Sequence, residues 1–191
     1  MKMVLKKIEG EDVYFFEVVD STMEIAREFI KENKKGIIVS SQQEKGRGRY
    51  GKRWFSPEGG LYFSWIIEEK EKHKYYLTEL ISYSLLETIE RFGIAGCGIK
   101  FPNDIIVNGK KIAGILLEKL GKYYIIGIGV NVNNEIEKEV EGAISMKEIT
   151  GREVEKEEVL KIFIRNLKEN EMKFERNLKF YLNKWSEYLI K

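Results

Sequence analysis

Apolar and polar positions along the chain change period several times, and each change marks an element. Two β-rich runs come first, Met3 to Ile8 and Val13 to Val19, separated by the turn-like cluster Glu9-Gly10-Glu11-Asp12. They read as a hairpin or as consecutive strands. Helical spacing follows at Ile25, Phe29 and Ile30, behind Asp20-Ser21-Thr22-Met23-Glu24, where a serine three residues before a glutamate matches a capping box. A helix is predicted to start there and to end near Gly36. Ile37 to Ser41 reads as a buried strand running into Gln42-Gln43, and Leu61 to Ile67 as another. A helix over about Tyr75 to Phe92 stops at Gly93 and presents Leu77, Leu80, Ile81, Leu85 and Ile89 as one buried stripe.

In the second half, Asn108-Gly109 stands between two β-rich runs and signals a hairpin. A further strand over Tyr123 to Val130 completes a meander, in which Gly114, Gly127 and Gly129 are expected to leave room for a ligand against the sheet. The charged run from Asn134 to Glu141 reads as a solvated loop or helix end. From about Glu155 the pattern is helical to the end, with Leu160, Phe163, Ile164 and Leu167 on one face and Phe174 to Tyr188 continuing it. Strand-like and helical runs thus alternate along the whole chain.

Composition narrows the chemistry. The 191 residues, 43% of them hydrophobic, suffice for one core, and no Pro/Gly/Ser-rich linker divides the chain, so a single domain over residues 1–191 is expected. The apolar runs are short and broken by charge, which argues for a cytoplasmic protein with no membrane span. Lys+Arg 33 against Asp+Glu 31 leaves no basic field for nucleic acid. One cysteine, Cys97, and one histidine, His73, exclude an internal disulfide and give too few ligands for structural zinc. His73 lies in Glu69-Lys70-Glu71-Lys72-His73-Lys74 and reads as an ordinary surface residue. Charged residues reach 34%, mostly Glu and Lys, against only Gln42 and Gln43 for glutamine, a bias shared with heat-adapted proteins.

Charge is concentrated in one place: Gly46-Arg47-Gly48-Arg49-Tyr50-Gly51-Lys52-Arg53-Trp54. Glycines let backbone N–H groups approach an anion, and arginine forks match phosphate. Such a loop is suited to a polyphosphate, with a flexible basic surface loop or a nucleic-acid patch as the other readings. Ser21 and Thr22 serve as helix cap, as ligand contact, or as both. Lys100, within an apolar strand and just before Pro102, either snorkels to the surface or is held inward to pair an anion.

Seven ordered motifs make a larger pattern: Asp20-Ser21-Thr22; Gln42-Gln43; the Gly46–Trp54 loop; Gly60-Leu61-Tyr62-Phe63-Ser64; Lys100-x-Pro102-Asn103-Asp104; Lys111-x-Ala113-Gly114-Ile115-Leu116; and Gly127-x-Gly129-x-Asn131-x-Asn133. From Val13 to about Gly151 the chain resembles the biotin protein ligases, the biotin–[acetyl-CoA-carboxylase] ligase family. The resemblance implies an α/β (α+β) catalytic domain, a mixed sheet flanked by helices, related to the class II aminoacyl-tRNA synthetase and lipoate ligase core. It also implies two half-reactions: biotin and MgATP give biotinyl-5′-AMP, from which a lysine of a biotin carboxyl carrier protein takes the biotinyl group. It implies that Ser21, Thr22, Gln43, Arg47, Gly48, Arg49, Lys100 and Gly114 meet biotin, with Arg49 and Lys100 catalytic. Arg47, Arg49, Trp54, Asn103, Lys110, Lys111 and Asn131 are implied on the ATP side, and no protein metal ligand is implied, Mg²⁺ coming with ATP.

Met23 and Phe101 depart from the residues common in that family. With no helix-turn-helix ahead of the matched region, no DNA-binding role is expected, and with the chain ending at Lys191 a C-terminal β-barrel is expected to be missing; a homodimer is left open. The alternatives are a lipoate ligase or octanoyltransferase on the same core, and a non-catalytic binder of biotin or nucleotide.

Overall fold

The computed structural model describes residues 3–136 and 140–190. Eight strands form one sheet: β1 Met3–Ile8, β2 Glu11–Val19, β3 Gly36–Gln43, β4 Leu61–Glu68, β5 Cys97–Lys100, β6 Asp104–Val107, β7 Lys110–Leu120 and β8 Tyr123–Val130. Their spatial order is β1-β2-β3-β4-β8-β7-β6-β5. β2 and β3 are parallel and every other pair is antiparallel, which makes the sheet mixed as expected. A parallel pair needs a crossover, and α1 (Thr22–Lys31) supplies it. The Asn108-Gly109 hairpin forms as expected, and of the two readings of the first runs the hairpin is the one that holds. Glu9-Gly10 and Asn108-Gly109 have φ of 49° and 84°, and of 51° and 77°, the doubly left-handed turn whose twist matches its strands.

Side-chain alternation sorts the sheet into two faces. Ile37 and Val39, Leu61, Phe63 and Trp65, and Ile126, Ile128 and Val130 point into the larger core, under α2 (His73–Glu90), α4 (Lys156–Arg176) and α5 (Leu178–Ser186). Ile38, Ile66 and Ile125, at intervening positions, meet Met23, Ala26 and Phe29 of α1. Each large apolar side chain buried this way contributes about 1.5–3 kcal/mol. Further along the α1 face the intervening residues of β7 and β8 include Gly114, Gly127 and Gly129, and the register sets Gly114 opposite Gly129 and Leu116 opposite Gly127. Ser64 and Tyr62 of β4 lie opposite Gly127 and Gly129. The sheet thus has a floor almost bare of side chains beside α1.

Several expectations are corrected. Asn177 breaks the C-terminal helical run, its side chain capping α5 at the N–H of Phe180. A short helix missed in the sequence, α3 (Met146–Thr150), closes a full capping box between Ser145 and Glu148. Asn134 and Ile136 are buried rather than solvated, and residues 137–139 of that run lie outside the described residues. Among the described residues, no helix is long and apolar enough to cross a membrane.

His73 is the clearest correction, for only 3% of it is exposed. Its Nε2 lies 2.9 Å from Glu171 Oε1 of α4, and its Nδ1 accepts the Lys70 backbone N–H at 3.2 Å. The flanking charges point outward while the ring turns in against Tyr76 and Tyr124. The His73 hydrogen bond holds the Glu171 carboxyl below its ordinary value of 4.5, against the opposing effect of burial, with Lys70 assisting. A depressed carboxyl contributes stability that is complete above its unfolded value and is lost as pH falls through the folded one. Glu171→Gln should therefore cost about 1–2 kcal/mol at pH 7, and the gap to the parent should narrow as the pH drops below the ordinary carboxylate range. Urea midpoints at neutral and acid pH check this, and equal midpoints at pH 7 would refute it.

Candidate active site

The junction of β2 and α1 places Ser21 and Thr22 at the edge of the bare floor, each 2% exposed. Thr22 Oγ1 is 2.8 Å from Ser64 Oγ, and Gln43 Oε1 accepts from both the Thr22 hydroxyl (3.1 Å) and its backbone N–H (2.9 Å). Gln43 Nε2 donates to Ser56 Oγ at 3.0 Å, which fixes its amide. Ser21 differs: its Oγ is buried with no hydrogen-bond partner among the described residues. The expected capping box does not close here. The Ser21 side chain makes no cap bond, and the Glu24 carboxylate turns instead to Arg27 and Arg47. A buried hydroxyl left unmet costs on the order of 1–3 kcal/mol, so this corner is shaped for a polar ligand group.

Beyond Gln43 the Gly-Arg loop is a folded hairpin, with bridges Gln43↔Ser56 and Arg47↔Arg53 and a 3-10 turn over Arg49–Gly51. Gly46 is required by close approach, since a Cβ there would stand 2.4 Å from the Trp54 carbonyl oxygen. The Gly48 N–H is taken by Lys52 O at 2.7 Å, so this amide belongs to the hairpin rather than to an anion nest. The loop returns through Trp54, whose indole lies on the bare floor. Cβ atoms on Gly114 and Gly129 would come within 2.8 and 2.3 Å of the indole, and one on Gly127 within 2.6 Å of Met23 Sδ. The glycines expected to make room for a ligand first make room for these two side chains.

Between loop and sheet lies a cavity of about 280 Å³. Arg47, Arg49, Lys52, Arg53 and Lys111 line it, against a single carboxylate, Asp104. Lys111 Nζ is 2.7 Å from Asp104 Oδ1 and 4.9 Å above the Trp54 ring. Arg49 reaches Asn103 Oδ1 at 3.3 Å, and Asn103 Nδ2 is fixed on Ile115 O at 3.1 Å. Trp54, Arg53 and Lys111 also border a second cavity of about 410 Å³, lined on its far side by Asn131, Ile136, Val140 and Ala143. The two spaces share the indole as a wall, so one extended ligand can run from the Ser21 corner past the cations into an apolar compartment.

Most residues singled out in the sequence meet here: Ser21, Thr22, Gln43, Arg47, Gly48, Arg49, Trp54, Asn103, Lys111 and Gly114 in the first cavity, and Asn131 in the second. Lys100 and Lys110 line neither. Lys100 ends β5 with its side chain exposed, before the cis Phe101-Pro102 bond. Ser64 and Asp104 were present in the motifs without an assigned role; strand parity puts Ser64 on the floor's face, and Asp104 begins β6 beside Gly114. His73 and Cys97 stand apart in the core, and burial pushes the Cys97 thiol up to about 12, which rules it out as a thiolate nucleophile. Among the described residues no cluster of three or more His, Cys, Asp or Glu side chains could hold a metal ion.

Comparison with known proteins agrees with this geometry. The family model described as "Biotin/lipoate A/B protein ligase family" matches residues 15–133. The "Bifunctional ligase/repressor BirA" of Escherichia coli (strain K12) is 33% identical over 159 residues, which is 77% of this chain and 50% of that protein. The chain spans about half the length of the curated relatives it matches in this way. The biotin protein ligase of Aquifex aeolicus, solved in complex with biotin and ATP, superposes with a TM-score of 0.83 at 34% identity, covering 93% of this chain and 78% of that one. The Leishmania major biotin protein ligase, solved with biotinyl-5-AMP, gives 0.80 at 25% identity, covering 93% and 81%.

Proposed function

Since the chain belongs to the biotin/lipoate A/B protein ligase family, we propose that it activates biotin with ATP to biotinyl-5′-AMP and transfers the biotinyl group to a lysine of a biotin carboxyl carrier protein. The observation that carries the choice of biotin is the Ser21 corner. Ser21 Oγ has no hydrogen-bond partner among the described residues, and Thr22, Gln43 and Ser64 form a fixed polar set beside it. A ureido ring brings two N–H donors and a carbonyl to such a corner, whereas a lipoyl or octanoyl chain would leave its polar groups unmet, at about 1–3 kcal/mol each.

In the first half-reaction a biotin carboxylate oxygen bonds to the α-phosphorus of ATP as the bond to pyrophosphate breaks. The carboxylate is already ionised near neutral pH, so no strong base is needed; the barrier lies in bringing two anions together. Arg47, Arg49 and Lys111 supply the countercharge, and Asn103 orients Arg49. The ammonium between the reactants is assigned to Lys111, which lines the cavity, rather than to Lys100, which does not. The base of the nucleotide fits the compartment bounded by Trp54 and Asn131. Mg²⁺ arrives with the nucleotide as MgATP, since Asp104 is engaged by Lys111. In the second half-reaction the carrier's lysine amine bonds to the acyl carbon as AMP leaves, and the amine's proton passes to solvent. Both ATP and carrier belong to the cytoplasm.

Pyrophosphate exchange into ATP tests the reading. Exchange is expected with biotin and not with lipoate or octanoate. Exchange driven by octanoate would move the protein to the other branch of its family, and no exchange with any acid would make it a binder only.

A further inference from the structure

The charges behind the loop form a chain of their own. Glu24, in the first turn of α1, accepts Arg27 Nη1 at 2.7 Å on the same oxygen that takes Arg47 Nη2. Arg27 in turn pairs through Nη2 with Glu118 of β7. The signs alternate from sheet to cavity lip: Glu118, Arg27, Glu24, Arg47. Arg27 and Glu118 retain only 27% and 29% side-chain exposure, against 47% for Glu24 and 41% for Arg47. The inner pair is therefore better shielded than the outer one and anchors it.

We propose that Glu24 is a positioning residue for Arg47, holding the guanidinium at the cavity lip before any ligand arrives. This rests on the reading of the cavity as a site for a carboxylate and a phosphate. One hydrogen bond to Glu24 engages one of arginine's five N–H donors and leaves four for an anion. The contact also offsets the repulsion of Arg47 by Arg49, Lys52 and Arg53, which would otherwise favour an open loop. A pre-set cation saves the ordering cost that a free arginine would incur on binding.

The test uses the full chain and two readouts. Glu24→Gln keeps the shape and removes the charge. In the ligand-free protein, trypsin should cut after Arg47 and Arg49 about fivefold faster than in the parent, with the thermal midpoint unchanged. In pyrophosphate exchange the KM for biotin should rise about tenfold with kcat within about twofold, because pre-organisation of Arg47 is lost rather than a transition-state contact. Glu118→Gln, acting through Arg27, should shift both readouts the same way by about two- to threefold. Parent-like cleavage, or a KM that stays level or falls, would overturn the proposal, a fall meaning that Glu24 competes with the ligand for Arg47. A parent without biotin-dependent exchange would count against the biotin reading, and the cleavage comparison would still decide the role of Glu24.

Discussion

Lys111→Ala should lower the rate of biotinyl-adenylate formation by about 10²–10³-fold, the magnitude lost when a preorganised countercharge is removed from a developing anion. Lys111 is the ammonium that faces the cavity, held between Asp104 at 2.7 Å and the Trp54 ring at 4.9 Å. A compact point charge in that position can sit between a carboxylate and an α-phosphate, whereas the wider fork of arginine would crowd the line of attack, so Lys111→Arg should not restore the rate. Biotin affinity, carried by the Ser21 corner, should fall far less than the rate. Lys111→Ala also strands the half-buried Asp104 carboxylate, at about 1–3 kcal/mol, so circular dichroism at the assay temperature separates folding from turnover. Lys100→Ala is the contrast, with a loss under about tenfold expected for an exposed residue outside the cavity lining. Should Lys100→Ala lose more than Lys111→Ala, the central ammonium is Lys100 and the site model is wrong at its core.

Arg49→Ala should cost about 10²-fold in adenylation while leaving the unfolding midpoint in place. Its protein contacts are few: Asn103 at 3.3 Å, the Tyr50 hydroxyl at 3.2 Å, and the Tyr50 ring 4.9 Å below its guanidinium carbon. Tyr50 is itself 87% exposed, so these contacts orient the side chain without burying it. A residue contributing so little to packing has its donors available for phosphate. Stopped-flow adenylation on a variant with a parent-like thermal midpoint decides the matter, and a full rate would remove Arg49 from the reaction.

How much of this was legible beforehand depended on whether the signal was local. Asn108-Gly109 and the alternation in β3, β4 and β8 carry their own geometry, and the short motifs each mark a local stretch of chain, many of whose residues line the first cavity. His73 was misread because its neighbours are charged and its partner, Glu171, is 98 residues away. The Ser21–Glu24 spacing satisfied a local rule, yet Arg27 and Arg47 compete for the glutamate, and the second of these comes from a loop that a capping pattern does not see. Lys100 was singled out for the reacting anions and Lys111 only for the nucleotide side, because a sequence does not show which of the two side chains borders the cavity, as Lys111 does and Lys100 does not. The glycines were recognised as space, but what fills that space, Trp54 and Met23, was set by how the loop and α1 return over the sheet.

That last arrangement bears on how such a protein can diverge. Glycine has no smaller neighbour in the genetic alphabet, and any substitution at Gly114, Gly127 or Gly129 adds a Cβ 2.3–2.8 Å from Trp54 or Met23. The floor therefore takes no Cβ unless the side chain resting on it shifts. A lineage drifting toward a bulkier acid would change Met23 or Trp54 first, trimming the filler above an untouched floor.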